Sequence, residues 1–503
     1  MEKDSTQELE IRLLLEALRH RCGFDIRHYA QASLRRRLLY CLSSCGIDNI
    51  SEAIPQVIHD RDFFNKLLYT LSVTFTEFFR DPLFFKILRN RAVSILRTYP
   101  FINIWHAGCA TGEEVYSMAI LLQEEGLMGK VRIYATDFNG ESLQKAAEAV
   151  YRTDDLIASE DNYKKAGGKG KLSDYYHVEN GVARIDPALM KNMVFSSFNL
   201  ATDSVFTEVH LVLCRNVLIY FDRTLQNRVL KLLHNSLLHG GILCLGSRET
   251  MQFSVVENSF LPISEKWRIF QKRVTTSGIL DSSERRDRVD RRQVTNRRGD
   301  QKGSKAVPVN NKSFKAVVVG CSSGGMVALR MVLSALPKNL PVPIIVVQHL
   351  ANDTDSEYLA TYLDGHSVLE VKGVTDKEDI QPGCVYVAPS GFHLMIEADS
   401  TLSLSNDPKH NYSRPAIDIL FESAGIAYGD EVIGVLLTGA NSDGTKGLKK
   451  IMESGGMTIV QDPKTAEAAF MPSSAIKAGV AGRVLPLEGI ALELCLMLGC
   501  KLP

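Results

Sequence analysis

Over residues 1 to 95, apolar positions recur at helical spacing, as in Leu13-Leu14-Leu15 with Leu18 and then Leu34, Leu38, Leu39 and Leu42, which predicts a small helical domain. From about residue 100 the pattern changes to short β-rich runs at Ile102–Trp105, Val131–Ala135, Val209–Cys214 and Ile242–Leu245. Helical stretches such as Val115–Glu124 and Arg223–Leu238 separate them, and such alternation predicts a parallel, helix-flanked sheet. Asp174 to Phe198 reads as a small β insertion turning at Glu179-Asn180-Gly181. Residues 275–312 lose the apolar pattern and carry arginine doublets at 285–286, 291–292 and 297–298, the mark of a flexible basic linker. Strands then recur at Ala316–Val319, Pro343–Gln348, Cys384–Ala388 and Val432–Thr438. The expected organisation is α/β: a helical domain at 1–95, a first α/β domain at 96–274, the linker, and a second, doubly wound parallel α/β domain at 313–503.

A chain of 503 residues exceeds what one hydrophobic core organises, which agrees with several domains. Its 58 basic and 58 acidic residues cancel, so no whole-chain charge points to nucleic acid or an acidic membrane as partner. Ten scattered cysteines show no paired spacing of the kind metal sites use, and read as reduced thiols in a cytoplasmic protein without a metal. Met1 to Glu10 is polar and acidic, and no apolar run approaches eighteen residues, so neither export nor a membrane span is expected.

Two places carry chemistry. In Ile104-Trp105-His106-Ala107-Gly108-Cys109-Ala110-Thr111-Gly112-Glu113-Glu114, small residues turn a strand into a helix, and the next strand ends at Asp137. An acidic group at that distance suits a ribose diol. The turn lacks the third glycine of a pyrophosphate cradle, and Glu113 and Glu114 would repel phosphates. A phosphate-free adenosine cofactor with a positive sulfonium, S-adenosylmethionine, fits better than a dinucleotide. The plainer alternative is that both glutamates simply favour a helix's first turn.

The second place is Gly320-Cys321-Ser322-Ser323-Gly324, a sharp strand-to-helix turn that presents Ser322 as a nucleophile beside helix N-terminal amides. His349 ends the apolar run Pro343–Val347 and is the expected base, and Asp443, after Val432–Leu437, is the orienting acid. The order Ser, His, Asp differs from that of α/β-hydrolases. His393 reads as a satisfied core histidine, His366 and His410 as loop residues, and Cys321 as a packed small residue.

Thr76-Glu77-Phe78-Phe79-Arg80-Asp81, Gly108 to Ser117 and Cys214-Arg215-Asn216-Val217-Leu218-Ile219-Tyr220-Phe221 resemble, in order, the motifs of the chemotaxis receptor methyltransferase (CheR-type) family, over residues 10 to 273. The resemblance implies a Rossmann-like methyltransferase domain that transfers methyl groups from S-adenosylmethionine to glutamates on the cytoplasmic helices of methyl-accepting chemoreceptors. It also implies that Thr74, Thr76, Arg80, Glu113, Asp137, Asn199, Leu200, Asn216 and Val217 hold the cofactor, with Arg80 and Tyr220 bordering the reacting groups. Thr74 stands where the family often has asparagine, and Val115 where it has proline. Arg35-Arg36-Arg37 grips an acidic receptor helix by the same likeness, or is merely a solvated helix face. The short insertion suggests a tether-independent member.

Gly320 to Gly325, Gln348-His349, Val387-Ala388-Pro389, Arg414-Pro415-Ala416-Ile417-Asp418 and Thr438 to Gly444 resemble the chemotaxis receptor methylesterase (CheB-type) catalytic domain, over about 314 to 500. That implies hydrolysis of glutamyl methyl esters through Ser322, His349 and Asp443, and deamidation of receptor glutamine by the same route. The receiver domain usual in that family has no room in a linker of 275–312. The joint expectation is a bifunctional enzyme that acts at receptor arrays without being embedded in the membrane. A scaffold with vestigial sites, or an enzyme of small esters, are the alternatives.

Overall fold

The computed structural model describes residues 2–22, 28–72, 76–252, 254–273, 313–349 and 356–500; the expected linker at 275–312 and Thr74 lie outside the described residues. Helices α1 (Glu2–Cys22), α2 (Gln31–Ser44), α3 (Ile50–His59) and α4 (Arg61–Leu71) form the helical unit. Leu14, Leu18, Leu34, Leu38 and Leu42 are buried, the face that the periodicity marks. Asp60 starts α4 by accepting the N–H groups of Asp62 and Phe63 at 2.8 and 3.0 Å. The stretch from Phe78 to Leu96 packs elsewhere: Phe79, Phe85 and Leu96 share a core with Ile104 and Tyr116. Burial of these aromatic side chains ends the helical unit at α4 rather than near residue 95.

The first sheet is built from β1 (Ile102–Ala107), β2 (Val131–Asp137), β6 (Met193–Ser197), β7 (Val209–Cys214), β8 (Leu237–Leu245), β9 (Phe260–Ser264) and β10 (Ile269–Lys272), in the order β6-β2-β1-β7-β8-β10-β9. The first five are parallel and the last two antiparallel. The expected β insertion is present as β4 (Tyr176–Glu179) and β5 (Val182–Ile185), joined by β3 (Val150–Arg152) in an antiparallel sheet. It is shorter than the sequence reading, because Met193–Ser197 instead pairs with β2 as an edge strand of the main sheet.

The second sheet is parallel throughout, with β11 (Ala316–Cys321), β12 (Ile344–Gln348), β13 (Glu370–Gly373), β14 (Cys384–Val387), β17 (Val432–Leu436), β18 (Met457–Gln461) and β19 (Arg483–Leu485) in the order β13-β14-β12-β11-β17-β18-β19. A separate antiparallel hairpin, β15 (His393–Ile396) with β16 (Leu402–Ser405), stands off this sheet. β16 runs beside Leu218–Tyr220 and β15 beside α2, so one apolar core continues from Leu38 through Tyr220 and Phe221 to Leu394 and Leu404.

Candidate active sites

In the first sheet the chain steps from β1 to β2 and β6 on one side, then to β7 and β8 on the other, which opens a crevice at the carboxyl ends of β1 and β7. A cavity of about 950 Å³ lies there, lined by Thr76, Arg80, Asp137, Asn199, Leu200, Asn216, Val217 and Tyr220, together with Glu114 and Arg215. The two loops approach closely: Gly108 has φ +82°, and a Cβ there would lie 2.6 Å from Val217 Cγ2.

Asp137 Oδ2 accepts the Ala110 N–H and Oδ1 the Asn139 N–H, each at 2.9 Å. Burial nonetheless raises its carboxyl above the ordinary value, more than those bonds lower it. Glu113 is not among the lining residues of the cavity and accepts from Thr111 Oγ1 at 2.7 Å; burial pushes its carboxyl up to about 7. Its neighbour Glu114 is the one that faces the cavity. Burial raises that carboxyl, but His106 and Arg215 more than offset it, and the net shift is downward. Arg215 bridges Glu114 at 2.8 Å and Asp81 at 2.6 Å, and its guanidinium lies 3.9 Å above the Phe84 ring.

Asn216 Nδ2 is buried and has no hydrogen-bond partner among the described residues, although its residue lines the cavity. With that unmet donor, the carboxylates of Glu114 and Asp137 and the guanidinium groups of Arg37, Arg80 and Arg215 in one lining suit an adenosine cofactor that carries charges of both signs. Sequence reasoning missed Glu249, whose buried carboxylate accepts the N–H groups of Asn216, Val217, Leu218 and Gly246 at 3.1, 2.8, 2.7 and 2.5 Å. Nothing in Gly-Ser-Arg-Glu announces a carboxylate that folds back on a loop 30 residues earlier.

The second sheet repeats the placement: β11 leads to β12, β14 and β13 on one side and the chain returns through β17 on the other. Ser322 follows β11, His349 follows β12 and Asp443 follows β17. Main-chain bonds tie these segments, from His349 N–H to the Cys321 carbonyl at 3.0 Å and from Ser322 N–H to the Thr438 carbonyl at 2.9 Å. Gly439 keeps the turn open, since a Cβ there would lie 3.0 Å from Ser322 Cβ and 2.4 Å from Met471 Cε.

His349 Nε2 is 2.7 Å from Asp443 Oδ2. Asp443 is fully buried and also accepts the N–H groups of Ile417 at 2.7 Å and Asp418 at 3.1 Å. Burial raises its carboxyl, but the His349 bond and these amides outweigh it, so it is held below the usual range. The other imidazole nitrogen, Nδ1, lies 3.4 Å from Asn441 Nδ2 and 3.5 Å from Ser413 Oγ. Ser322 and His349 line one open cavity with Gln348, Met326, Tyr358 and Glu467. Among the described residues Ser322 Oγ forms no hydrogen bond, so the serine and imidazole share a cavity without yet being joined.

Cys321 is packed as expected, its thiol 3.0 Å from Gln348 Oε1 and raised by burial. His393 is a satisfied core histidine, with Nε2 against the Pro408 carbonyl at 3.1 Å and Nδ1 accepting the Ala416 N–H at 3.2 Å. His410 is more than a loop residue: Nε2 lies 3.4 Å from Asp418 Oδ2, beside Asp443. The Arg35-Arg36-Arg37 face is not free. Arg36 and Arg37 are ion-paired with Asp407 of the second half, and Arg35 bonds Gln7.

Comparison with known families accounts for most of the chain. Residues 9–72 match the CheR methyltransferase all-alpha domain, 74–268 the CheR methyltransferase SAM binding domain, and 317–494 the CheB methylesterase. A Pseudomonas putida protein described as "Putative methyltransferase Cher3" is 46% identical over 272 residues, 54% of this chain and 100% of that protein. The chain belongs to the CheR methyltransferase family in its first half and the CheB methylesterase family in its second. For the CheB half, a Leptospira interrogans protein described as "Putative protein-glutamate methylesterase/protein-glutamine glutaminase" is 49% identical over 179 residues, 36% of this chain and 92% of that protein. The crystal structure of the Thermotoga maritima CheB methylesterase catalytic domain is 42% identical, covers 36% of this chain and 97% of that one, and gives a TM-score of 0.35. The CheR half carries the S-adenosylmethionine-binding domain of its family. No helix among the described residues is long and apolar enough to cross a membrane.

Proposed function

We propose that this one chain writes and erases methyl esters on glutamates of chemoreceptor cytoplasmic helices, working in the cytoplasm at receptor arrays. The observation that carries the reading is the presence, in one chain, of a cofactor-shaped crevice in the first sheet and of a serine sharing a cavity with a His–Asp pair in the second.

S-adenosylmethionine, when bound, supplies an electrophilic methyl group. A glutamate is already an anion near neutral pH, so the CheR half needs no strong base and acts by positioning. Asp137 binds the ribose hydroxyls, Thr76, Arg80, Asn199, Leu200, Asn216 and Val217 hold the cofactor with it, and Arg80 and Tyr220 also border the reacting groups. Glu249 fixes the Asn216–Leu218 backbone through the N–H bonds it accepts.

In the CheB half Ser322 Oγ attacks the ester carbonyl carbon and its proton passes to His349. The C–O bond to methanol breaks, and methanol departs with that proton. Water then attacks the acyl-serine, His349 takes and returns a proton, and glutamate and free Ser322 are restored. Asp443 holds the imidazole, and the Ser323 N–H faces the oxyanion. Glutamine follows the same path with ammonia as leaving group.

Incubating the purified protein with tritiated S-adenosylmethionine and receptor-bearing membranes tests the reading. Label entering receptor glutamates and later appearing as volatile methanol is expected; cofactor binding with neither event would leave a scaffold.

A further inference from the structure

Residues of the second half abut two arginines, Arg37 and Arg80, that line the first cavity. β16 runs out into Asn406 and Asp407, and Asp407 is fully buried between Arg36 and Arg37, the latter at 3.1 Å and 7% exposed. Arg80 Nη2 donates to Asn406 Oδ1 at 2.6 Å. Arg37 and Arg80 both line the first cavity, and the Arg37 guanidinium lies 4.9 Å over the ring of Tyr220. Ala32 N–H donates to Glu397 Oε2 at 3.0 Å on the same side. A second latch holds the halves together: Arg223 donates to the Lys377 carbonyl at 2.7 Å and pairs with Asp379 at 2.9 Å, while Lys377 Nζ donates to the Ile219 carbonyl at 3.1 Å. Among the described residues, none of the first half lines the Ser322 cavity. The contacts between the halves thus gather beside the first cavity, at Arg37 and Arg80.

We infer that Asn406 and Asp407 form an internal plug on the acceptor side of the transferase cavity, so that the docked chain erases, and that an acidic receptor helix displaces the plug by taking over Arg36 and Arg37. This rests on the reading that acceptor glutamates enter between Arg80 and Tyr220. Asp407 supplies on those arginines the charge that such a helix carries. Withdrawing one partner of a buried pair leaves an uncompensated charge, so a substitute anion, rather than spontaneous opening, releases the plug. Burial would raise the Asp407 carboxyl, but Arg37 and Arg36 more than offset it and hold it at about 2; the plug stays charged at all working pH values.

The test uses the full chain carrying Ser322→Ala, so that erasure cannot mask incorporation. Asp407→Ala added to it is expected to raise the initial rate of methyl incorporation into receptor membranes about fivefold or more. Arg223→Ala, remote from the cavity, moves the rate the same way and stands in if the first variant unfolds. Hydrogen exchange at residues 402–408 is expected to quicken when receptor membranes are added. Rates unchanged in folded variants, with exchange unmoved by receptor, overturn the plug. Quickened exchange with no label incorporated by any form supports the plug and overturns the methyl-writing reading instead.

Discussion

The two halves put their sites at the same place in the fold and give Asp137 in one and Asp443 in the other opposite shifts. In each sheet the crevice opens where strand order reverses, at β1/β7 in one and β11/β17 in the other. In the transferase crevice burial raises Asp137 more than its backbone N–H partners lower it, which leaves acceptor capacity that a ligand's hydroxyl groups would use. In the esterase crevice Asp443 receives a histidine and the backbone amides of Ile417, Asp418 and Gly444, and is driven down. An architecture thus fixes where a site forms, while the partners given to each buried carboxylate decide whether it waits for a ligand or serves another side chain.

The largest effect that would break this contrast belongs to the nucleophile. Ser322→Ala is expected to lower methanol release by about 10⁴-fold or more while cofactor binding and label incorporation persist. Asp443→Asn should cost about 10³- to 10⁴-fold in the same assay, because the imidazole loses its fixed tautomer, again without effect on cofactor affinity. On the other side, Asp137→Ala is expected to weaken S-adenosylmethionine binding about 10- to 100-fold by calorimetry, and methanol release from pre-methylated receptor should be unchanged.

The smallest effect concerns pH. Glu113 and Glu249 both have carboxyls raised to about 7 by burial, so the folded chain holds their protons more tightly than the unfolded chain does. Their contribution to stability is whole below about 4.5 and is lost as pH rises through about 7. Thermal melts of the full chain should therefore show a decline between pH 5 and 7.5, and Glu113→Gln, which keeps an acceptor for Thr111, should flatten it slightly. A steeper decline in that variant would contradict the assignment.

Much of this was readable along the chain because it is written locally. β-branched runs ending in small residues located β1, β11 and β17, and a histidine or aspartate just past a strand end fell in the crevice by geometry alone. The contact between halves was not readable. Asp407 lies 370 residues from Arg37 in Ser-Asn-Asp-Pro, which looks like any exposed turn, and three consecutive arginines look solvated or partner-seeking. Glu249 escaped for the same reason: a carboxylate that collects backbone amides is defined by the loop it meets. Tertiary electrostatics has no period in the sequence, whereas strands and helices do.

Arg414 donates to the carbonyls of Asn406 and Asp407 at 2.9 and 3.0 Å, and the residue before it, Ser413, has its hydroxyl 3.5 Å from His349 Nδ1. Two consecutive residues thus reach the turn that contacts Arg37 and Arg80 of the first half and the imidazole of the second. They therefore serve different neighbourhoods, Arg414 the turn that meets Arg37 and Arg80 and Ser413 the imidazole, and Arg414→Ala is expected to alter methyl incorporation and methanol release together.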